Sequence, residues 1–272
     1  MKNLLIYINP RKEFGEEEKT AVKIQIDNSL DLGWKPEDIL LVTNFDYEYN
    51  GVKSFVVGNE NFCIFCPAAS KINAIIDLFK QKLVQKGKIY WFHDLDAYQL
   101  INIEESELKL DCNTDMFLPD FGRLLRWSTG SIFFKESSQD IFKWTRDIAY
   151  KYSTDEERAL SILTGQDTRA RSMSGHIIKG YTSKDIPGIA NINSRIKKAN
   201  ITYNFHSFNV RSNYAAALKP IRVAHFHFIE RPENPTNPRP DQIDFFLRGK
   251  NKLEIQIVPD RLVKIFNQYG VH

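Results

Sequence analysis

The chain has 272 residues, 42% of them apolar and 26% charged, with a formal net charge of +3. This is the composition of a folded globular protein, and it excludes disordered, collagen-like and coiled-coil classes. The charge is too mild for a surface that wraps nucleic acid, so no nucleic-acid partner is expected; a local basic pocket for a phosphorylated small molecule is compatible with it. No apolar run approaches the roughly 18 residues of a membrane-crossing helix, so no transmembrane segment is expected.

The opening MKNLLIYINP holds Tyr7 and Asn9 and lacks a small-residue cleavage site. It is therefore read as a first strand and not as a signal peptide. Three cysteines (Cys63, Cys66 and Cys112) without a secretion signal predict a reducing, cytoplasmic setting. Cys63-x-x-Cys66 has no second pair at zinc-ribbon spacing, so two half-buried thiols before a helix are expected ahead of a redox or zinc pair. The 12% aromatic content serves either a thick core or a cleft with stacking platforms.

Residues 4–9 form an apolar strand. Residues 16–31 follow as a helix, with Val22, Ile26 and Leu30 at helical spacing, three glutamates in the first turn and Gly33 after the end. Ile39–Val42 and residues 52–57 make two more strands, so the first crossover is expected to be parallel. Pro67 opens a helix whose face runs Ile72, Ile75, Ile76, Phe79 and Leu83 before Gly87 stops it. KIYWFHDLDAY, residues 88–98, begins as a buried strand and turns polar abruptly. In an open α/β sheet ligands sit at that end of a strand. Further on, strands are expected at 116–121, 129–135, 201–206 and 222–228, and helices at 138–152, 155–164 and 259–268, with loops across 165–200. Residues 231–240 carry four of the eleven prolines and cannot be helix or central strand.

Asp94-Leu95-Asp96 stands at the end of that central strand. Two carboxylates so spaced can grip a hard divalent cation that bridges nucleotide phosphates. The triplet alone is weak, since about one such pair arises by chance in a chain this long, and a solvated acidic turn looks the same. A carboxylate built for metal is expected to be poorly paired without it. The second feature is Arg222-Val223-Ala224-His225-Phe226-His227-Phe228, then Arg231-Pro232. On a strand both imidazoles share one face and both phenyl rings the other, and neutral imidazole suits Mn²⁺-type metals.

These two segments resemble the metal-dependent, nucleotide-sugar glycosyltransferases of the GT-A fold, the glycogenin and bacterial galactosyltransferase relatives among them. The resemblance implies a Rossmann-like mixed sheet flanked by helices. It also implies that Asp94 and Asp96 hold Mn²⁺ or Mg²⁺ on the donor diphosphate. The late family segment H-F-x-G-x-x-K-P is matched by His225, Phe226, Arg231 and Pro232, with Phe228 in place of the glycine. It implies His225 as third ligand, with His227 as the alternative, and Arg231 on the phosphates. By the same resemblance Thr129, Gly130 and Ser131 line the sugar and acceptor, and Glu156 and Glu157 at a helix start are the catalytic candidates. Lys71 meets the donor, while Ile8, Asn9 and Pro10 with Thr43 and Asn44 cradle the nucleobase.

The likeness covers about residues 1–232. It implies a domain over 1–230, with a nucleotide-binding half to about 98 and an acceptor half after it, followed by a Pro-rich arm and C-terminal helix over 231–272. The implied reaction moves a hexose, UDP-sugar being the favoured donor, to a hydroxyl of a glycan, lipid or protein acceptor. Two rivals stand beside it: a sugar-phosphate nucleotidyltransferase, and a non-catalytic carbohydrate- or protein-binding module. The first normally carries a Gly-rich basic loop after the first strand, where this chain has Asn9-Pro10-Arg11-Lys12-Glu13-Phe14-Gly15. Dinucleotide-binding, P-loop, nucleophile-elbow and zincin signatures are missing from the sequence.

Overall fold

A computed structural model describes residues 1–122, 127–165, 189–207, 210–228, 242–251 and 253–271. In chain order these form β1 (Lys2–Tyr7), α1 (Glu16–Asp31), β2 (Ile39–Thr43), β3 (Glu48–Tyr49), β4 (Val52–Val56), α2 (Ser70–Lys80), β5 (Tyr90–His93), β6 (Ala97–Gln99), β7 (Met116–Pro119) and β8 (Ser131–Phe134). The second half adds α3 (Gln139–Tyr152), α4 (Glu156–Thr164), α5 (Ile189–Arg195), β9 (Ile196–Ala199), β10 (Phe205–His206), α6 (Val210–Ala216), β11 (Val223–His225), α7 (Gln242–Phe246) and α8 (Asp260–Gln268). Among the described residues no helix is long and apolar enough to cross a membrane.

The main sheet has eight strands among the described residues, in the order β3-β4-β2-β1-β5-β8-β7-β9. Strands β4, β2, β1 and β5 run parallel, and β8 pairs antiparallel to β5. This is a mixed α/β layout, with α2 and α3 packed against one face through Ile72, Ile75, Ile141 and Phe142. A second, three-stranded sheet orders β10-β11-β6.

Helix α1 has its acidic first turn where its N-terminal dipole favours it. Val22 and Ile26 pack on Leu5 and Leu41 of the sheet. Ala21 and Ile24 join a separate apolar cluster with Tyr98, Leu262 and Phe266. The helix is thus covered on two sides, by the sheet and by α8, which explains why polar Gln25 and Asn28 are fully buried on it. Both donate through their amide nitrogens: Gln25 Nε2 to the carbonyls of Leu95 (2.9 Å) and Ala97 (3.1 Å), and Asn28 Nδ2 to that of Gln99 (2.9 Å). These amides hold the chain just beyond β5 in place.

Three expectations are corrected. Helix α2 ends at Lys80, not at Gly87. Lys82 adopts φ 57°, with Leu83 N bonded to Leu78 O and Lys82 N to Phe79 O. This is a left-handed C-terminal cap, and Leu83 mimics a helix-face residue because such caps place an apolar side chain there. Residues 165–200 are not all loop, since α5 and β9 lie within them. The strand expected at 201–206 is a 3-10 turn over Ile201–Tyr203 followed by the short β10.

Candidate functional site

The segment after β5 changes sheets. Asp94 N donates to Gly130 O (3.0 Å) at the β8 entrance, and Ala97 N to Asp94 O (3.0 Å), closing a turn. The chain then enters β6, which pairs antiparallel with β11 so that Ala97 faces His225. Phe226 N donates to Asp96 O (2.9 Å). The two segments singled out in the sequence therefore meet at the seam between the sheets. β11 stops at His225, shorter than the expected 222–228 strand, while Phe226 and Phe228 anchor in the apolar cluster beneath.

One ligand atom each from Asp94, Asp96 and His225 lies within 4.8 Å of the others. Two carboxylates and an imidazole, part-exposed at a strand end, form a donor set that suits a hard divalent cation. Asp96 is nonetheless not idle, contrary to the expectation of poor pairing. His225 Nε2 stands 3.1 Å from its Oδ1 and His227 Nδ1 2.9 Å from its Oδ2. Burial by itself raises the Asp96 carboxyl, but the two imidazoles outweigh it and hold the group well below the ordinary carboxylate range. The same pairing raises His225 against its own burial. Asp94 is the strained member: burial and the negative charge of Asp96 raise it in spite of Lys71.

Lys71 is the hub of the other half of the site. Its ammonium lies 2.9 Å from Asp94 Oδ1 and 2.9 Å from Glu156 Oε1, with side chains of Lys71 and Glu156 only 8% and 4% exposed. A buried cation between two carboxylates is stabilised in its charged form, so burial's downward pull on Lys71 is overcome and its pKa rises. Burial raises Glu156 too, but Lys71 brings it below its usual value. Thr129 ties the pair to β8: its hydroxyl donates to Glu156 Oε1 (3.0 Å) and its N–H to Glu157 Oε1 (3.1 Å). Glu156 and Glu157 open α4, which Asp155 caps by accepting from Arg158 N (2.6 Å). Among the described residues no group hydrogen-bonds the buried Glu156 Oε2.

The structure thus brings together Lys71, Asp94, Asp96, Thr129, Gly130, Glu156, Glu157, His225 and His227. Ser131 lies in β8 with its hydroxyl accepting from Trp91 Nε1 (2.9 Å), fully buried within the sheet. Ile8, Asn9 and Pro10, with Thr43 and Asn44, sit at the ends of β1 and β2. Asn44 Nδ2 donates to Asn9 O (2.7 Å) and Asn59 Oδ1 (2.7 Å), and Asn9 N to Asn44 Oδ1 (3.0 Å). That amide laces three strand-end loops together beside an aromatic group of Tyr7, Phe14, Phe45 and Tyr47. Arg231 and Pro232 lie outside the described residues.

Residues not singled out in the sequence also border the site. His225 Nδ1 is 3.1 Å from Asn204 Oδ1, and Asn204 Nδ2 donates to Ser128 Oγ (2.7 Å). The imidazoles of His206 and His225 lie 4.4 Å apart between centroids. Asn204 follows a 3-10 turn in a stretch with no local motif, so nothing in the sequence marks it.

No family model and no curated protein match the sequence. Solved structures do match in fold. The galactosyltransferase LgtC, in complex with donor and acceptor sugar analogs, superposes with a TM-score of 0.50 at 10% identity, covering 98% of this chain and 96% of that one. The glycosyltransferase GlyE of Streptococcus pneumoniae TIGR4 gives 0.51 at 10% identity, covering 99% of this chain and 64% of that one. The fold expected from the sequence is therefore observed: the chain has the GT-A-like fold of glycosyltransferases.

Proposed function

We propose that this chain is a metal-dependent glycosyltransferase that moves a sugar from a nucleoside-diphosphate donor, preferably a UDP-sugar, to the hydroxyl of a glycan, lipid or protein acceptor. The observation that carries the reading is the meeting of Asp94, Asp96 and His225 at a strand end, beside the Lys71–Glu156 pair. Asp94, Asp96 and His225 would hold Mn²⁺ or Mg²⁺, with His225 favoured over His227 because its nitrogen lies in one cluster with both aspartates. When bound, such an ion neutralises the charge that builds on a departing nucleoside diphosphate.

The protein's own groups account for the rest. Four carboxylates (Asp94, Asp96, Glu156 and Glu157) converge with one buried ammonium, so the site repels a diphosphate unless a cation intervenes. Lys71 keeps Glu156 ionised and fixed. Glu156 is buried, so it acts through Lys71 and Thr129, which its Oε1 holds. Glu157, pinned by the Thr129 amide, flanks the site with Gly130. The loops laced by Asn44, from Ile8 to Pro10 and at Thr43, would cradle the base mostly through backbone groups.

The test is a panel of nucleotide sugars assayed for Mn²⁺-dependent binding and slow donor hydrolysis, with and without EDTA. Binding of a UDP-sugar only with metal is expected, with hydrolysis lost in Asp94→Asn and Asp96→Asn. Release of pyrophosphate from a nucleoside triphosphate and sugar phosphate would favour a nucleotidyltransferase instead. Metal-indifferent sugar binding without turnover would favour a binding module.

A further inference from the structure

We infer that Asn204 is a positioning residue for the metal site, holding the Nδ1 proton of His225 so that Nε2 is the nitrogen offered to the cation. The inference rests on the metal-dependent reading above. An imidazole ligand can use either ring nitrogen, and the hydrogen bond made by the other one decides which. Here Nε2 faces Asp96, 3.1 Å from Oδ1, and Nδ1 faces Asn204 Oδ1 at 3.1 Å.

An asparagine amide offers a donor on one side and an acceptor on the other, so its orientation decides the outcome. Reversed, its NH₂ would point at Nδ1 and require that nitrogen to accept, which leaves the ring proton on Nε2 and blocks the cation. Asn204 has the first orientation, with Oδ1 toward His225 and Nδ2 toward Ser128. Its Nδ2 lies 2.7 Å from Ser128 Oγ, and that hydroxyl lies 3.2 Å from His206 Nε2. A serine hydroxyl that donates to His206 has its lone pairs left for the Asn204 NH₂. With His206 accepting at Nε2, the proton order runs in one direction, from His225 Nδ1 to Asn204, from Asn204 to Ser128, and from Ser128 to His206. Asn204 itself is fully buried, its own N–H bonded to Ile201 O (3.0 Å), so the side chain has little freedom to turn over. Gly130 lies against the same imidazole and amide, where a side chain would meet both.

Calorimetric titration with Mn²⁺ alone, without any donor, tests this on Asn204→Leu, which keeps volume but has no acceptor, and on Asn204→Asp, which keeps the acceptor. Loss of an ordering partner of a ligand histidine costs about 10–100-fold in metal affinity, and that loss is expected in the leucine variant, with most of the affinity restored by aspartate. A second measurement needs no variant: long-range ¹H–¹⁵N correlation on the wild-type protein loaded with diamagnetic Mg²⁺ should show His225 protonated at Nδ1. Wild-type affinity in Asn204→Leu, an aspartate variant as weak as the leucine one, or an unprotonated Nδ1 would overturn the inference while leaving the metal reading intact. Failure of the wild-type protein to bind Mn²⁺ would overturn both.

Discussion

Gly130 lies directly beneath the imidazole of His225: a Cβ built on Gly130 would stand 2.5 Å from both Cε1 and Nδ1 of the ring, and 3.0 Å from Asn204 Nδ2. The glycine is needed here for space, not for backbone freedom. Its carbonyl also accepts the Asp94 amide, so one residue sets the distance between the first aspartate and the histidine. Gly130→Ala must displace the ring. Overpacking of this kind costs about 1–3 kcal/mol, and a thermal melt should register it. Mn²⁺ affinity should fall at least about tenfold, because displacing a ligand by a fraction of an ångström is felt directly. Unchanged affinity would mean that His225 is not a ligand.

Lys71 supports the buried carboxylate of Glu156 and the part-exposed one of Asp94, and its loss leaves both without that cation. Removing one partner of a buried ion pair costs about 3–5 kcal/mol, which is the expected destabilisation of Lys71→Met at neutral pH. The sign with pH follows from Glu156, whose folded value Lys71 brings below the usual 4.5. A carboxylate lowered by its partner contributes stability above its unfolded value and loses it as pH falls through the folded one. The gap between wild type and variant should therefore shrink as pH drops below 4.5. Denaturant melts across that range check it, and a gap independent of pH would show that Lys71 acts by packing alone.

Cation binding at His225 should be pH-dependent. The raised pKa of the imidazole means that a proton competes with the metal at pH values above the ordinary 6.5. Mn²⁺ affinity should fall as pH decreases, with a midpoint higher than for a free histidine. In the metal-free protein the sign is opposite: the Asp96–His225 ion pair stabilises the fold at low pH and its contribution fades as pH rises through the raised His225 value. Calorimetry from acid to mildly alkaline pH should show the affinity slope in the wild type and a flatter one in His225→Ala. His227→Ala should retain the slope.

The thiols make a separate prediction. Cys63 and Cys66 are buried and Cys112 is exposed. Burial, reinforced by the negative charge of Glu156, pushes the Cys66 thiol up to about 11, so it has almost no thiolate at neutral pH. Alkylation followed by mass spectrometry should label Cys112 first and leave Cys66 unmodified until the protein is unfolded. Rapid labelling of Cys66 in the native protein would contradict its burial.

Elements whose signals are local are legible in the amino-acid sequence. Helix α1, strands β2 and β4, and helices α3, α4 and α8 all lie within a residue or two of their expected bounds, because apolar periodicity, an acidic first turn or a capping residue is written into a short window. The same holds for the position of Asp94 and Asp96, since an apolar strand that turns polar marks its own carboxyl end. The tertiary structure decided what depends on residues distant in the chain. No window around residue 71 reveals that its ammonium reaches Glu156, and none around 204 reveals that its amide reaches His225. The exchange from main sheet to small sheet after Asp94 is likewise invisible locally, because β6 exists only through pairing with β11 and through the buried amides of α1. Asp96 could be read as a strand-end carboxylate, but whether it stood alone or between two imidazoles was settled by that pairing, which brings His225 and His227 to it from the far end of the fold.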